Sequence, residues 1–192
     1  MVNYPNGKQA VVTHTKASFA DRGMGLEKDI NITNQFYLSC DRAVIHKKPT
    51  PVTIVKVDYP QRSAARITEA YFKLPSTTDY NGIYRQKYID FEAKECALLT
   101  SFPLKSIHAH QIEHLSSVCR HGAIAFLIVR FTKLNETYLS DAMTTINYIR
   151  TCGRRSIPYE WFQKNAYLIP QNYVKPVDYL SVVDRLYFKE AQ

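Results

Sequence analysis

The chain has 192 residues, with 25 Lys and Arg against 17 Asp and Glu, a formal charge of +8, and 45% hydrophobic residues. That length suits one domain, and the composition excludes a globally disordered, collagen-like or mucin-like chain. The longest apolar run, residues 123–129, is far short of the roughly 20 residues a membrane helix needs. Residues 1–20 are polar and lack the apolar stretch of a secretory signal, so a cytoplasmic protein with no membrane partner is expected. Cys40, Cys96, Cys119 and Cys152 are far apart and form no C-x-x-C pair, which argues against a zinc ribbon and against a disulfide scaffold. The positive excess favours a polyanionic partner such as nucleic acid, although a solvated basic surface gives the same sum.

Residues 1–21 carry neither helical nor strand periodicity and read as a flexible amino-terminal arm. Residues 22–192 read as a single domain with an insertion at about 46–74. Leu26, Ile30, Thr33 and Tyr37 recur at the spacing of one helix face, with Glu27, Asn31 and Asn34 on the neighbouring stripe. Between 46 and 74 prolines punctuate two β-rich runs, 52–59 and 66–73, joined by a turn near Gln61, Arg62 and Ser63. This hairpin is basic: Lys47, Lys48, Lys56, Arg62, Arg66 and Lys73 outnumber Asp58 and Glu69. Lysines also protect sheet edges from pairing, so the charge has a solubility reading as well as a nucleic-acid one.

A second hairpin, 77–84 with 87–95, is expected to turn at Arg85 and Gln86. A helix follows over 107–120, stopped by Gly122, then an apolar strand over 123–131 covered on both faces. A strand near 136–139 leads through Ser140, as N-cap, into a helix with Met143, Ile146 and Ile149. A last helix starts near Asp178 and buries Leu180, Val183 and Leu186. Helices around a sheet make an α/β or α+β domain.

The chemistry concentrates in the second hairpin. Glu92 and Lys94 are two apart in a strand and share a face, while Asp79 lies on the partner arm. Two carboxylates are hard oxygen ligands for Mg²⁺, and a neighbouring lysine supplies positive charge where a phosphorane accumulates negative charge. On its own this pattern is weak, because Glu-x-Lys occurs in many solvated strands. His110, Glu113 and His114 spell H-x-x-E-H, the inverted zinc-protease pattern, but the sequence marks no third ligand for it. Tyr59, Tyr71 and Phe72 interleave with the basic residues of the first hairpin and offer stacking surfaces to unpaired bases.

Several ordered motifs together are more specific. Arg22-Gly23-Met24, Lys47-Lys48-Pro49-Thr50-Pro51, Val57-Asp58-Tyr59-Pro60, Glu69-Ala70-Tyr71-Phe72-Lys73, Ser76-Thr77-Thr78-Asp79-Tyr80-Asn81-Gly82, Tyr88-Ile89-Asp90-Phe91-Glu92-Ala93-Lys94 and Phe102-Pro103-Leu104-Lys105 resemble the RecU family of bacterial Holliday junction resolvases. His110-Gln111-Ile112-Glu113-His114 joins that set, and the resemblance is fainter beyond about Leu139.

The resemblance implies an α/β, restriction-endonuclease-like mixed sheet flanked by helices, with a protruding β-hairpin stalk. It implies a homodimer that cuts four-way and branched DNA with Mg²⁺, Mn²⁺ being an acceptable substitute. Carried over residue by residue, Thr77, Asp79, Glu92 and Gln111 match the metal-binding set, Lys94 the transition-state stabiliser and Glu27 a supporting acidic position. The basic hairpin matches the stalk, so Lys47, Lys48, Lys56, Arg62, Arg66 and Lys73 are the expected DNA contacts. A RecA-type recombinase is a further candidate partner. Threonine rather than proline precedes Asp79, as it does in the resolvase family. The rival readings are a non-cleaving junction-binding or strand-annealing accessory protein and a restriction-type endonuclease acting on linear duplex.

Overall fold

The computed structural model describes residues 24–60, 64–73 and 77–188. The amino-terminal arm, Arg22 and Gly23, and the hairpin turn with Arg62 lie outside the described residues. The elements, in chain order, are α1 (Met24–Ser39), β1 (Val44–Lys47), β2 (Val52–Asp58), β3 (Arg66–Phe72), β4 (Tyr80–Tyr84), β5 (Lys87–Cys96), β6 (Ser101–Pro103), α2 (Ala109–Arg120), β7 (Ile124–Phe131), β8 (Glu136–Asp141), α3 (Ala142–Thr151), β9 (Ser156–Pro158), α4 (Tyr159–Asn165), β10 (Tyr167–Leu168) and α5 (Tyr179–Tyr187). Among the described residues no helix is long and apolar enough to cross a membrane.

The central sheet has six strands in the order β1-β4-β5-β7-β8-β10. Only β5 and β7 run parallel, with α2 as their crossover, and the other neighbours are antiparallel. Both faces of this mixed α/β sheet are covered, and β7 shows why its sequence is apolar throughout. Ile124, Phe126 and Ile128 enter the core under α1 and α5, while Ala125, Leu127, Val129 and Phe131 enter the core under α2, α3 and α4. The helical spacing read in α1 is the buried face: Leu26, Ile30, Thr33 and Tyr37 are all buried.

Register in the functional half of the sheet is pinned by aromatics. Tyr80, Phe91 and Phe126 are direct partners on β4, β5 and β7. Their rings stack with centroids 4.8 Å apart at each step, contacts that contribute about 0.5–1.5 kcal/mol each beyond area burial. Because β4 and β5 are antiparallel, fixing Tyr80 opposite Phe91 fixes Asn81 opposite Asp90 and carries the residue before Tyr80 towards the residue after Phe91. The hairpin turns at the expected residues, Arg85 and Gln86, with φ of 47° and 64°. Both positive values are what a two-residue hairpin loop demands.

Some boundaries differ from the sequence reading. Helix α3 is capped by Asp141, whose carboxylate accepts the Thr144 N–H at 2.9 Å. Ser140 is instead buried in β8 and shares a hydroxyl hydrogen bond with Thr145. The protruding hairpin is the separate two-stranded ribbon β2–β3. Ile54 pairs with Ala70, Lys56 with Glu69 and Val57 with Ile67, so the register shifts twice, at Val55 on β2 and at Thr68 on β3. His46 and Lys47 are not in it, because β1 joins the main sheet edge beside β4.

Candidate metal and catalytic centre

Thr77, Thr78 and Asp79 connect the ribbon to β4, and they run beside β5 at the face from which Asp90, Glu92 and Lys94 project. The Asp79 backbone N–H donates to Glu92 Oε2 at 3.1 Å. On the other side of the same carboxylate, Lys94 Nζ lies 2.5 Å from Glu92 Oε1. That contact is off the direction of a hydrogen bond: Oε1 is buried, ion-paired, and accepts no hydrogen bond from the described residues. The fold thus brings Asp79, in the segment that leads into β4, beside Glu92 and Lys94 of β5.

The electrostatics of Glu92 follow from that packing. Its side chain is fully buried. Burial raises its proton affinity, the Lys94 ammonium pulls it back, and the neighbouring Asp79 raises it again, leaving the carboxyl pushed up to about 8. A buried carboxylate crowded by a second one and short of donors is a poor anion by itself and a good ligand for a cation.

A cavity of about 240 Å³ opens in front of Asp79, lined by Glu27, Lys47, Lys48, Thr77, Thr78 and Asp79 among others. Glu27 stands in the first turn of α1, where a carboxylate suits the helix N-terminus, and its Oε1 lies 2.6 Å from Lys47 Nζ. Glu27 and Thr77 therefore share the cavity with Asp79. Gln111 is buried at the amino-terminal end of α2, which packs on β5 and β7. Its Oε1 accepts the His108 N–H at 3.0 Å and its own N–H donates back to the His108 carbonyl.

The basic residues fall into two groups. Lys56, Arg66 and Lys73 are exposed on the ribbon, with Lys56 opposite Glu69 and Arg66 opposite Asp58. Lys47 and Lys48 sit at the cavity instead. Lys48 Nζ donates to Asp90 Oδ2 at 2.9 Å and to Thr78 Oγ1 at 2.9 Å. Tyr59, Tyr71 and Phe72 are exposed on or beside the ribbon.

Asp90 is the residue that sequence reasoning passed over. It is completely buried, and it accepts from Thr78 Oγ1, from Lys48, from Tyr88 OH at 2.9 Å and from His114 Nε2 at 3.1 Å. A carboxylate only accepts, so Nε2 of His114 carries the proton. Burial alone would push Asp90 up, but the hydrogen bonds from Thr78, Lys48 and His114 outweigh it and hold the carboxyl below its ordinary value. The available signal was its place two residues before Glu92 on the same strand face. The H-x-x-E-H pattern dissolves here, since His114 is committed to Asp90. Among the described residues no three His, Cys, Asp or Glu side chains converge as a metal site.

The class so defined is a mixed α/β domain whose parallel strand pair carries a crowded carboxylate backed by a lysine, with a basic ribbon rooted at the same place. The chain belongs to the RecU family: the family model described as recombination protein U matches residues 21–185. The match runs through α3, α4 and most of α5, past the point where the motif resemblance fades. Similar curated proteins carry the name Holliday junction resolvase RecU. One from Oceanobacillus iheyensis is 56% identical over 97% of this chain and 100% of its own length. One from Geobacillus kaustophilus is 54% identical over 97% of this chain and 98% of its own length. One from Bacillus cytotoxicus is 50% identical, with the same coverages of 97% and 98%. Among solved structures, Archaeoglobus fulgidus Hjc, a Holliday junction resolvase, aligns with 63% of this chain and 78% of its own, at a TM-score of 0.38 and 14% identity.

Proposed function

We propose that this protein is a Mg²⁺-dependent Holliday junction resolvase, a structure-specific endodeoxyribonuclease that nicks symmetric strands of four-way DNA and leaves 5′-phosphate and 3′-hydroxyl ends. The observation that carries the reading is the convergence on Glu92: the Asp79 N–H on one oxygen and the Lys94 ammonium beside the other. Near-full-length identity to proteins carrying the resolvase name supports it. A protein that only held or annealed strands would have no use for a buried acid–lysine pair.

The residues present fit a divalent cation. Glu92 Oε1 is a buried carboxyl oxygen that accepts no hydrogen bond from the described residues, and Asp79 adds a second hard oxygen donor. Asp79 and Glu92 would hold the ion, with Thr77 and Gln111 completing the set. Gln111 can serve although it already accepts from His108, because an amide oxygen has two lone pairs. When bound, Mg²⁺ or Mn²⁺ supplies Lewis-acid polarisation of the scissile phosphate and charge neutralisation at the departing 3′ oxygen. Lys94, held in place by Glu92, presents its ammonium to the developing charge of the phosphorane. Glu27 tethers Lys47 at the cavity rim and keeps a cation there to meet a backbone phosphate.

Lys56, Arg66 and Lys73 of the ribbon, together with Arg62, engage the junction through phosphates, so branched shape rather than base sequence governs recognition. The reading includes a homodimer, because two equivalent sites suit a roughly two-fold junction, and a cytoplasmic setting with a RecA-type recombinase as a further partner.

The test is cleavage of a synthetic mobile four-way junction and of a linear duplex, with Mg²⁺ and with Ca²⁺, by the wild type and by Asp79→Ala. Paired symmetric nicks on the junction alone, with binding but no cutting by the variant, are expected. Unchanged cleavage by Asp79→Ala, or inactivity of folded wild type with both Mg²⁺ and Mn²⁺, overturns the proposal.

A further inference from the structure

The ribbon has two roots, and one side chain holds both. Residues 48–51 lead from β1 into β2, and Thr77 to Asp79 lead from the ribbon into β4. At the entering root Lys48 donates its backbone N–H to the Asp79 carbonyl at 2.7 Å and its ammonium to Thr78 Oγ1. That ammonium and the Thr78 hydroxyl both end on Asp90, one on each carboxylate oxygen. Asp79, next along, donates its N–H to Glu92. Successive residues of the departing root are thus stitched to successive same-face residues of β5, Thr78 to Asp90 and Asp79 to Glu92. Tyr88 and His114 add two further donors to Asp90 Oδ2, from β5 and α2.

We infer that Asp90 is a positioning residue: it clamps both roots of the ribbon to the strand that carries Glu92 and Lys94, so that the ribbon's orientation and the placement of Asp79 against Glu92 are set together. The chemical role of Asp79 and Glu92 rests on the function proposed above, whereas the clamp itself does not. Four donors engage Asp90, three on Oδ2 and one on Oδ1, and its full burial keeps it off DNA. What it touches are the two segments through which any force on the ribbon must reach the site. A ribbon with loose roots would still present Lys56, Arg66 and Lys73 to a junction, but the carbonyl and N–H of Asp79 would no longer be held on Lys48 and Glu92. Displacements of this kind at a reacting centre cost rates of about 10²-fold.

Three variants separate positioning from general stability. Asp90→Asn keeps the shape and loses the charge and half the acceptor capacity, Thr78→Val removes the hydroxyl at constant shape, and Thr78→Ser restores it. Site-resolved amide exchange is read at Lys48 and Asp79 and, as the reference, at Phe126 to Ile128 in the middle of β7. Cleavage is read as single-turnover junction cutting in Mg²⁺ and binding as a gel shift in Ca²⁺. Asp90→Asn and Thr78→Val should speed exchange at Lys48 and Asp79 by about tenfold or more while β7 is unchanged, the mark of a local opening. Cutting should slow by about tenfold or more with junction affinity kept within about threefold, and Thr78→Ser should behave as wild type in both. Exchange at the roots that does not move, that accelerates equally in β7, or that is the same for Val and Ser overturns the clamp. A wild type that cuts no junction overturns the proposed function and leaves the exchange measurement to decide the clamp alone.

Discussion

Asp90 and Glu92 project from the same face of β5, two residues apart, and their carboxylates are solvated by the protein in opposite ways. Asp90 accepts from Thr78, Lys48, Tyr88 and His114 and is held below its ordinary value. Glu92, equally buried, accepts one backbone N–H, has the Lys94 ammonium ion-paired beside its other oxygen, and is pushed up to about 8. Burial favours the neutral acid at both; the count of donors decides. The satisfied carboxylate organises the scaffold, and the unsatisfied one is left to be completed from outside.

That difference makes Glu92 a stability cost in the metal-free protein. Its folded proton affinity, about 8, lies above the ordinary Glu value of 4.5. The folded state therefore holds a proton that the unfolded state has released between those two pH values. Stability falls as pH rises through that window, on the order of a few kcal/mol at its upper end, and the effect is absent below it. Glu92→Gln should melt higher than wild type in EDTA at pH 8, match it near pH 4.5, and lose cleavage altogether. Mg²⁺ should raise the melting temperature of wild type at pH 8 and leave Glu92→Gln unmoved. Melting curves at the two pH values, with and without the ion, and a junction-cleavage assay of the variant check these statements.

Lys94 competes with a cation for Glu92 Oε1, the oxygen it approaches to 2.5 Å. Lys94→Ala should therefore bind Ca²⁺ no more weakly than wild type by calorimetry. Cleavage in Mg²⁺ should nevertheless fall by about 10²–10³-fold, the scale of removing one preorganised group from a charged transition state. A parallel loss of ion affinity would mean that Lys94 serves to assemble the site rather than to act on the phosphate.

Much of this was legible in the sequence because it depends on period and adjacency. The face of α1, the alternation of β5, the wholly apolar β7 and the turn at Arg85 and Gln86 follow from local spacing alone. The pairing of Asp79 with Glu92 was readable as a hairpin relationship, and the structure adds the Tyr80–Phe91–Phe126 stack that fixes its register. What could not be read was the fate of single polar groups. Lys48 looks like any other basic residue of the inserted hairpin, and only tertiary packing turns it inward onto Asp90. Ser140 and Asp141 are both good caps by type, and the residue left at the helix start took the role. The short strands β1, β6, β9 and β10 are made by their partners rather than by intrinsic preference.

Gly82 tests how the sheet edge supports the site. A Cβ there would lie 2.1 Å from the Val44 carbonyl oxygen and 2.6 Å from the Ile45 Cα, both backbone atoms of β1. Neither can yield without moving the strand that carries Lys47 and leads to Lys48. Gly82→Ala should lose about 3 kcal/mol in urea unfolding, the upper range for overpacking. In whatever fraction remains folded, cleavage should fall further than junction binding. A neutral effect on stability would mean that β1 is not held against β4 in solution.

The basic residues should divide into two kinds under substitution. Lys56, Arg66 and Lys73 are exposed on the ribbon, so replacing the three together with Ala should leave the melting temperature nearly unchanged. Junction affinity should drop, and the slope of log affinity against log salt should shrink by about 0.9 for each phosphate that is no longer neutralised. Lys48 is the opposite case. Its ammonium is mostly buried against a fully buried Asp90, and removing one partner of such a pair strands the other at a cost of about 3–5 kcal/mol. Lys48→Ala should therefore lower the melting temperature sharply and change the salt slope little. Gel shifts over a salt series, run beside thermal melts of both variants, distinguish a ribbon that reads phosphate from a lysine that holds the ribbon in place.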